Sequence, residues 1–138
     1  MHHTHHLTAG LTKFCRQNGI LPISIFRKGD VDIESFINEI CSCDKIFSSS
    51  LHGLIVAQAY GVPAQWIRIK GCPIHKDDWH KFEDYFLGAY QDNQNAIEIE
   101  LTEKGIYSLV KVIPPEIKQF KGAEALMDVF PKEFMVGA

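Results

Sequence analysis

The chain has 138 residues, enough for one domain around a single core and too few for two domains of ordinary size. Apolar residues make up 46% and charged residues 22%, with a formal net charge of -3, so neither a disordered chain nor a basic nucleic-acid footprint fits. No apolar run reaches the roughly 18 to 20 residues that a membrane-spanning helix needs.

The opening MHHTHHLTAG lacks the basic end and apolar centre of a signal peptide, which sets the expectation of a cytoplasmic protein. Its histidines (His2, His3, His5, His6) are metal-binding in composition, but an expression tag or a ragged start has the same look, and no function is assigned to them. Leu7, Leu11, Phe14 and Cys15 follow helical spacing, and Asn18-Gly19 is a fitting stop. Ile20 to Phe26 reads as a short strand and Arg27 to Asp30 as a turn. Asp32 is then expected to cap a second helix, with Ile33, Phe36, Ile37 and Ile40 on one face.

Lys45 to Ser49 reads as a second strand. Leu51 to Tyr60 follows as a helix closed by Gly61, with Pro63 beyond. Gln65 to Ile69 is a third strand, residues 70 to 80 a loop, and Lys81 to Leu87 a short aromatic helix. Ala96 to Leu101 alternates as a fourth strand. Residues 103 to 113 stay undecided between helix and strand, and Glu116 to Val129 reads as a last helix ended by Pro131. This alternation predicts an open α/β fold of about four parallel strands, with helices on both faces. Ligands in such sheets bind where strands turn into helices at their carboxyl ends.

One such corner is Ser48 to Pro63, SSSLHGLIVAQAYGVP. A strand ends, a serine-rich turn follows, and a helix places His52 in its first turn. Unpaired N–H groups and the positive end of the helix dipole then face one spot, which suits phosphate or carboxylate. Ser50 is expected to cap the helix through its Oγ, leaving the Ser48 and Ser49 hydroxyls for a ligand. Gly53 has no side chain to block close approach to the backbone. His52 suits a general acid or a phosphate clamp. The same residues also serve as an ordinary cap and a packed polar corner, the commoner use of such a motif.

The run SSSLHGLIVAQAYGVPAQWIRI resembles the signature of the polysaccharide pyruvyl transferase family, with the match continuing upstream through VDIESFINEICSCDKI and downstream to KFEDYF and LMDVFP. The resemblance covers roughly residues 20 to 131. It implies a Rossmann-like domain similar to the C-terminal half of a glycosyltransferase of the B type. Residues 1–19 are then an N-terminal segment and first helix, 20–131 the domain, and 132–138 a tail. It further implies transfer of a pyruvyl unit from phosphoenolpyruvate to a sugar hydroxyl in cell-surface polysaccharide synthesis, with an N-terminal domain as the partner half and no cofactor.

The motif histidine falls on His52, as catalytic acid or phosphoenolpyruvate ligand, with Ser48, Ser49, Ser50 and Gly53 as the binding corner. Many members carry arginine two residues before this histidine. Here that position is Ser50, which implies an anion clamp elsewhere, on Arg27, Arg68 or Lys81. Two alternatives remain: a glycosyltransferase half-domain taking a nucleotide sugar, and a non-catalytic domain that self-associates.

Other groupings point less clearly. Cys72, His75, Asp77 and His80 match no standard metal spacing, so no metal site is expected. Asp77, Asp78, Glu83 and Asp84 read as a solvated helix start. Trp66, Trp79, Phe82, Tyr85 and Phe86 are either a sugar-stacking surface or packing. The four cysteines, Cys15, Cys41, Cys43 and Cys72, read as reduced and mostly buried.

Overall fold

The computed structural model describes residues 7–24, 30–72, 79–90, 94–116 and 128. In chain order these form α1 (Ala9–Gln17), α2 (Asp30–Cys41), β1 (Ile46–Ser48), α3 (Leu51–Ala59), β2 (Ala64–Ile69), α4 (Trp79–Tyr90), β3 (Ile97–Ile99), α5 (Glu103–Ser108) and a 3-10 turn, Leu109–Lys111. The strands make a parallel sheet in the order β1-β2-β3, with Ser48 opposite Trp66 and Ile69 opposite Ile99. This is the expected α/β, Rossmann-like open sheet.

Both crossovers, β1-α3-β2 and β2-α4-β3, step the same way across the sheet. A common handedness therefore puts α3 and α4 on one face. Leu54 of α3 and Phe82 and Phe86 of α4 accordingly share a core with Trp66, Ile46 and Ala64, and Phe36 and Ile40 of α2 join them. Trp66 and Phe82 stack with ring centroids 4.4 Å apart and planes 6° from parallel. The opposite face carries a smaller cluster, Ile67, Ile99 and Leu109, with Phe47, Ile97 and Val112 against it.

Helix ends follow local chemistry closely. The Thr8 hydroxyl accepts from Leu11 N–H and starts α1. Gly19 (φ 71°) and Gly61 (φ 73°) take the left-handed conformation after α1 and α3. At each end the residue after the glycine donates back to the helix, Ile20 to Cys15 O and Val62 to Ala57 O, both at 2.8 Å. These paired bonds satisfy the last carbonyls.

Several expectations are corrected. Among the described residues the sheet has three strands, not four. Ile20 to Ser24 forms no strand, and Pro22 within it has no N–H to give a ladder; Phe26 lies outside the described residues. Asp32 does not cap α2, which begins at Asp30 and holds Asp32 in its first turn. The aromatic helix runs from Trp79 to Tyr90, well past the expected Leu87. The undecided stretch 103–113 is helical over Glu103–Lys111, and the last expected helix, Glu116 to Val129, lies outside the described residues except for Glu116 and Asp128.

Candidate functional site at the β1–α3 corner

β1 hands over to α3 within two residues, Ser49 and Ser50, both only 7% exposed. The tightness comes from Ser48. Its Oγ donates to Ser50 O at 2.8 Å and accepts from Ser50 N–H at 3.1 Å, closing a small ring on the residue two ahead. Gly53 completes the fit. A Cβ on Gly53 would run into Ser48 Oγ, so the missing side chain makes room for the serine.

Ser50 does occupy the N-cap position, with extended backbone (φ -108°, ψ 133°), but its side chain makes no capping hydrogen bond. That corrects the expected Oγ cap: the Ser50 N–H and C=O are tied to Ser48, which sets the turn without the Ser50 hydroxyl. The first intrahelical donor is Leu54, to Ser50 O at 3.3 Å, so the N–H groups of Leu51, His52 and Gly53 come before the helical ladder. The Ser49 and Ser50 hydroxyls have no hydrogen-bond partner among the described residues. Buried hydroxyls are seldom left so, and each carries a desolvation cost that an incoming acceptor relieves.

His52 is exposed, on the outer side of the first turn. A cavity of about 500 Å³ opens instead on the other side of the corner, along the outer edge of β1. Ser48, Ser49 and Gly53 line one end of it, with Cys15, Ile67, Ile99 and Leu109 among its apolar walls; His52 is not part of the lining. The corner is thus two-sided, with the imidazole outside and Ser48 and Ser49 on the cavity.

Arg68 lies two residues beyond Trp66, the partner of Ser48, and by strand alternation shares Trp66's face. It therefore sits past the carboxyl end of β1 on the side where α3 begins, half-buried. Lys81, in the first turn of α4, is exposed with its ammonium 5.5 Å from the Phe82 ring centroid. Arg27, the other cation considered, lies outside the described residues.

The aromatic set divides. Trp66, Phe82 and Phe86 are core residues at 6%, 2% and 3% exposure, so they offer no sugar surface. Tyr85 ties α4 to α3 through a 2.8 Å hydrogen bond from its hydroxyl to Gln58 Oε1. Trp79 is partly exposed and lies against His80. Among the described residues no group of histidines, cysteines and carboxylates could hold a metal, and His75 and Asp77 fall outside them. All four cysteines are free. Cys15 and Cys72 are buried as expected, while Cys41 is exposed because it ends α2 on the solvent side. No helix among the described residues is long and apolar enough to cross a membrane.

Buried hydroxyls beside first-turn N–H groups, at the carboxyl edge of a parallel sheet, form an arrangement that is complementary to an anion. Comparison with known proteins narrows this. Residues 11–71, which contain the whole corner, match the family model described as polysaccharide pyruvyl transferase, and the family expected from the sequence is supported on that segment. The chain is also similar, at 43% identity over 54 residues, to an uncharacterized protein of Acanthamoeba polyphaga mimivirus. That match takes in 39% of this chain and 18% of the viral protein, so it spans a small part of that relative. No solved structure gives a significant match.

Proposed function

We propose that this chain is the phosphoenolpyruvate-binding C-terminal part of a polysaccharide pyruvyl transferase. It would transfer a pyruvyl group to a sugar hydroxyl in cell-surface polysaccharide biosynthesis, together with an N-terminal domain. The observation that carries this reading is the pair of buried hydroxyls, Ser49 and Ser50, without a partner among the described residues, at the start of α3 inside the family-matching segment. Oxyanions of a phosphate or carboxylate are what such donors and the first-turn N–H groups complement.

In this reading a proton adds to the methylene carbon of phosphoenolpyruvate and the sugar oxygen bonds to the neighbouring carbon. The hydroxyl's own proton replaces the one delivered, phosphate departs with the electron pair of its C–O bond, and a second hydroxyl of the same sugar bonds to the carbon it leaves and gives its proton to the departing phosphate, closing a pyruvate ketal. His52 supplies the proton or holds the phosphate from the open side of the first turn. Arg68 and Lys81 add positive charge from the neighbouring strand and helix, in place of an arginine at position 50. Ser48 and Gly53 shape the pocket. A cytoplasmic setting accords with the four free cysteines.

Titration of the labelled chain with phosphoenolpyruvate, and separately with a nucleotide sugar, tests this reading by amide chemical shifts. Shifts at Ser49 to Gly53 with phosphoenolpyruvate alone are expected. A response to the nucleotide sugar alone would transfer the site to a glycosyltransferase, and silence toward both would leave a non-catalytic, self-associating domain.

A further inference from the structure

The sequence presents three adjacent serines as equals, and the structure does not. Building on the anion-site reading above, we propose that Ser48 is a positioning residue and that Ser49 and Ser50 are the hydroxyls that meet the anion. A serine hydroxyl has one proton to give. Ser48 spends it on Ser50 O and accepts from Ser50 N–H in return. It is also hemmed in by Gly53, whose Cα approaches so closely that any β-carbon there would overlap Ser48 Oγ. It can therefore neither rotate toward a ligand nor be replaced by a longer side chain without moving the start of α3.

Ser49 and Ser50 are in the opposite state. Both are buried, and neither hydroxyl has a partner among the described residues. Ser49 lines the cavity. Ser50 is not part of that lining but adjoins it at the N-cap, where, freed from side-chain capping, it leaves the first-turn N–H groups of α3 uncovered, among them that of Gly53, which also borders the cavity. The division of labour is specific: one serine fixes the turn so that the other two stay unpaired.

The test uses the whole chain with inorganic phosphate and phosphoenolpyruvate as probes. Ser49→Ala is expected to lower phosphate affinity about tenfold, the worth of one good hydrogen bond to a charged group, with the Ser50 amide resonance of the free protein unmoved. Ser48→Ala is expected to lower affinity while shifting the Ser50 amide and speeding its hydrogen exchange before any ligand is added. Ser48→Thr, which keeps the hydroxyl, should restore both. Gly53→Ala should weaken binding, and adding Ser48→Ala should recover part of the loss, because the overlapping oxygen is gone.

The proposal is overturned if Ser48→Ala weakens binding with the Ser50 amide unmoved, since Ser48 would then touch the anion itself. Unchanged affinity in both Ser49→Ala and Ser50→Ala overturns it equally. If the unaltered chain binds neither probe, the anion reading itself falls. The Ser48–Gly53 double-mutant cycle on unfolding free energy then still decides the positioning claim: additive effects reject it.

Discussion

The two faces of the sheet are built to different standards. On the α2–α3–α4 face, Trp66 stacks on Phe82 and is flanked by Phe86, Leu54 and Ile40, all nearly sealed from solvent. On the α5 face the apolar cluster is Ile67, Ile99 and Leu109, and these line a cavity of about 500 Å³ that runs around the outer edge of β1 to Ser48 and Ser49, walled on its other side by Phe36, Ile40 and Ile46. Burial of large side chains at about 1.5–3 kcal/mol each concentrates stability on the first face. The cavity at the β1 edge instead gives the corner access to space. Rigidity beside the corner thus comes from the stacked rings over the middle of the sheet, and room from the edge of β1.

The widest consequence of that difference is energetic. Trp66→Ala should cost about 3–5 kcal/mol in unfolding by urea, because the stacked partner and flanking rings cannot close the gap. Leu109→Ala should cost nearer 2 kcal/mol, since its neighbourhood is already incompletely filled and little new void forms. Equal losses at the two sites would abolish the contrast between the faces.

A smaller effect is expected at Lys45, whose ammonium donates to Val110 O at 2.7 Å and Val112 O at 2.9 Å. Lys45→Met removes both bonds from a partly solvated site where water can replace them, so about 1 kcal/mol is expected. Hydrogen exchange of the amides of 109–112 should speed up with it; unchanged exchange there would show that the lysine is not what secures this segment.

The smallest effect is a pH dependence. Burial pushes the Cys15 thiol above its ordinary value of 9.0. The unfolded chain therefore loses this proton before the folded one does, and folding stability from this group declines as pH rises past 9.0 toward the raised value. Below that range it contributes in full. The Cys15→Ala variant should show a flatter stability profile on the alkaline side, and an identical slope would place the titration elsewhere.

Much of this was legible from the residues. Short apolar or alternating runs located the three strands described, and Gly19 and Gly61 marked the ends of two helices, because these signals are local. Ile20 to Phe26 misled because strand composition says nothing about a ladder partner. Residues 103–113 were ambiguous because Gly105 sits mid-pattern. Its place is explained only by the approach of Glu100 O, which a β-carbon would strike, and by Thr102, whose hydroxyl accepts from Gly105 N–H at 3.1 Å.

At the corner, the motif located the serines and His52 but not their orientations. Which hydroxyl turns back on its own backbone depends on how near Gly53 comes, and that is set by α3 packing on the sheet. The outward position of His52 follows from the same helix rotation, with Gly53 and Leu54 turned inward.

The Lys45 clasp carries one more consequence. It brings the residue before β1 within hydrogen-bonding reach of the strand-like chain after the 3-10 turn, so the segment from 45 to 112 is a closed loop of polypeptide in space. Joined there by a few added residues and opened at the long connection after β2, the same three strands could be strung in a new order while keeping every pairing. The β1–α3 corner lies inside that loop, just past the join at Lys45, and keeps its own sequence order in the rearranged chain.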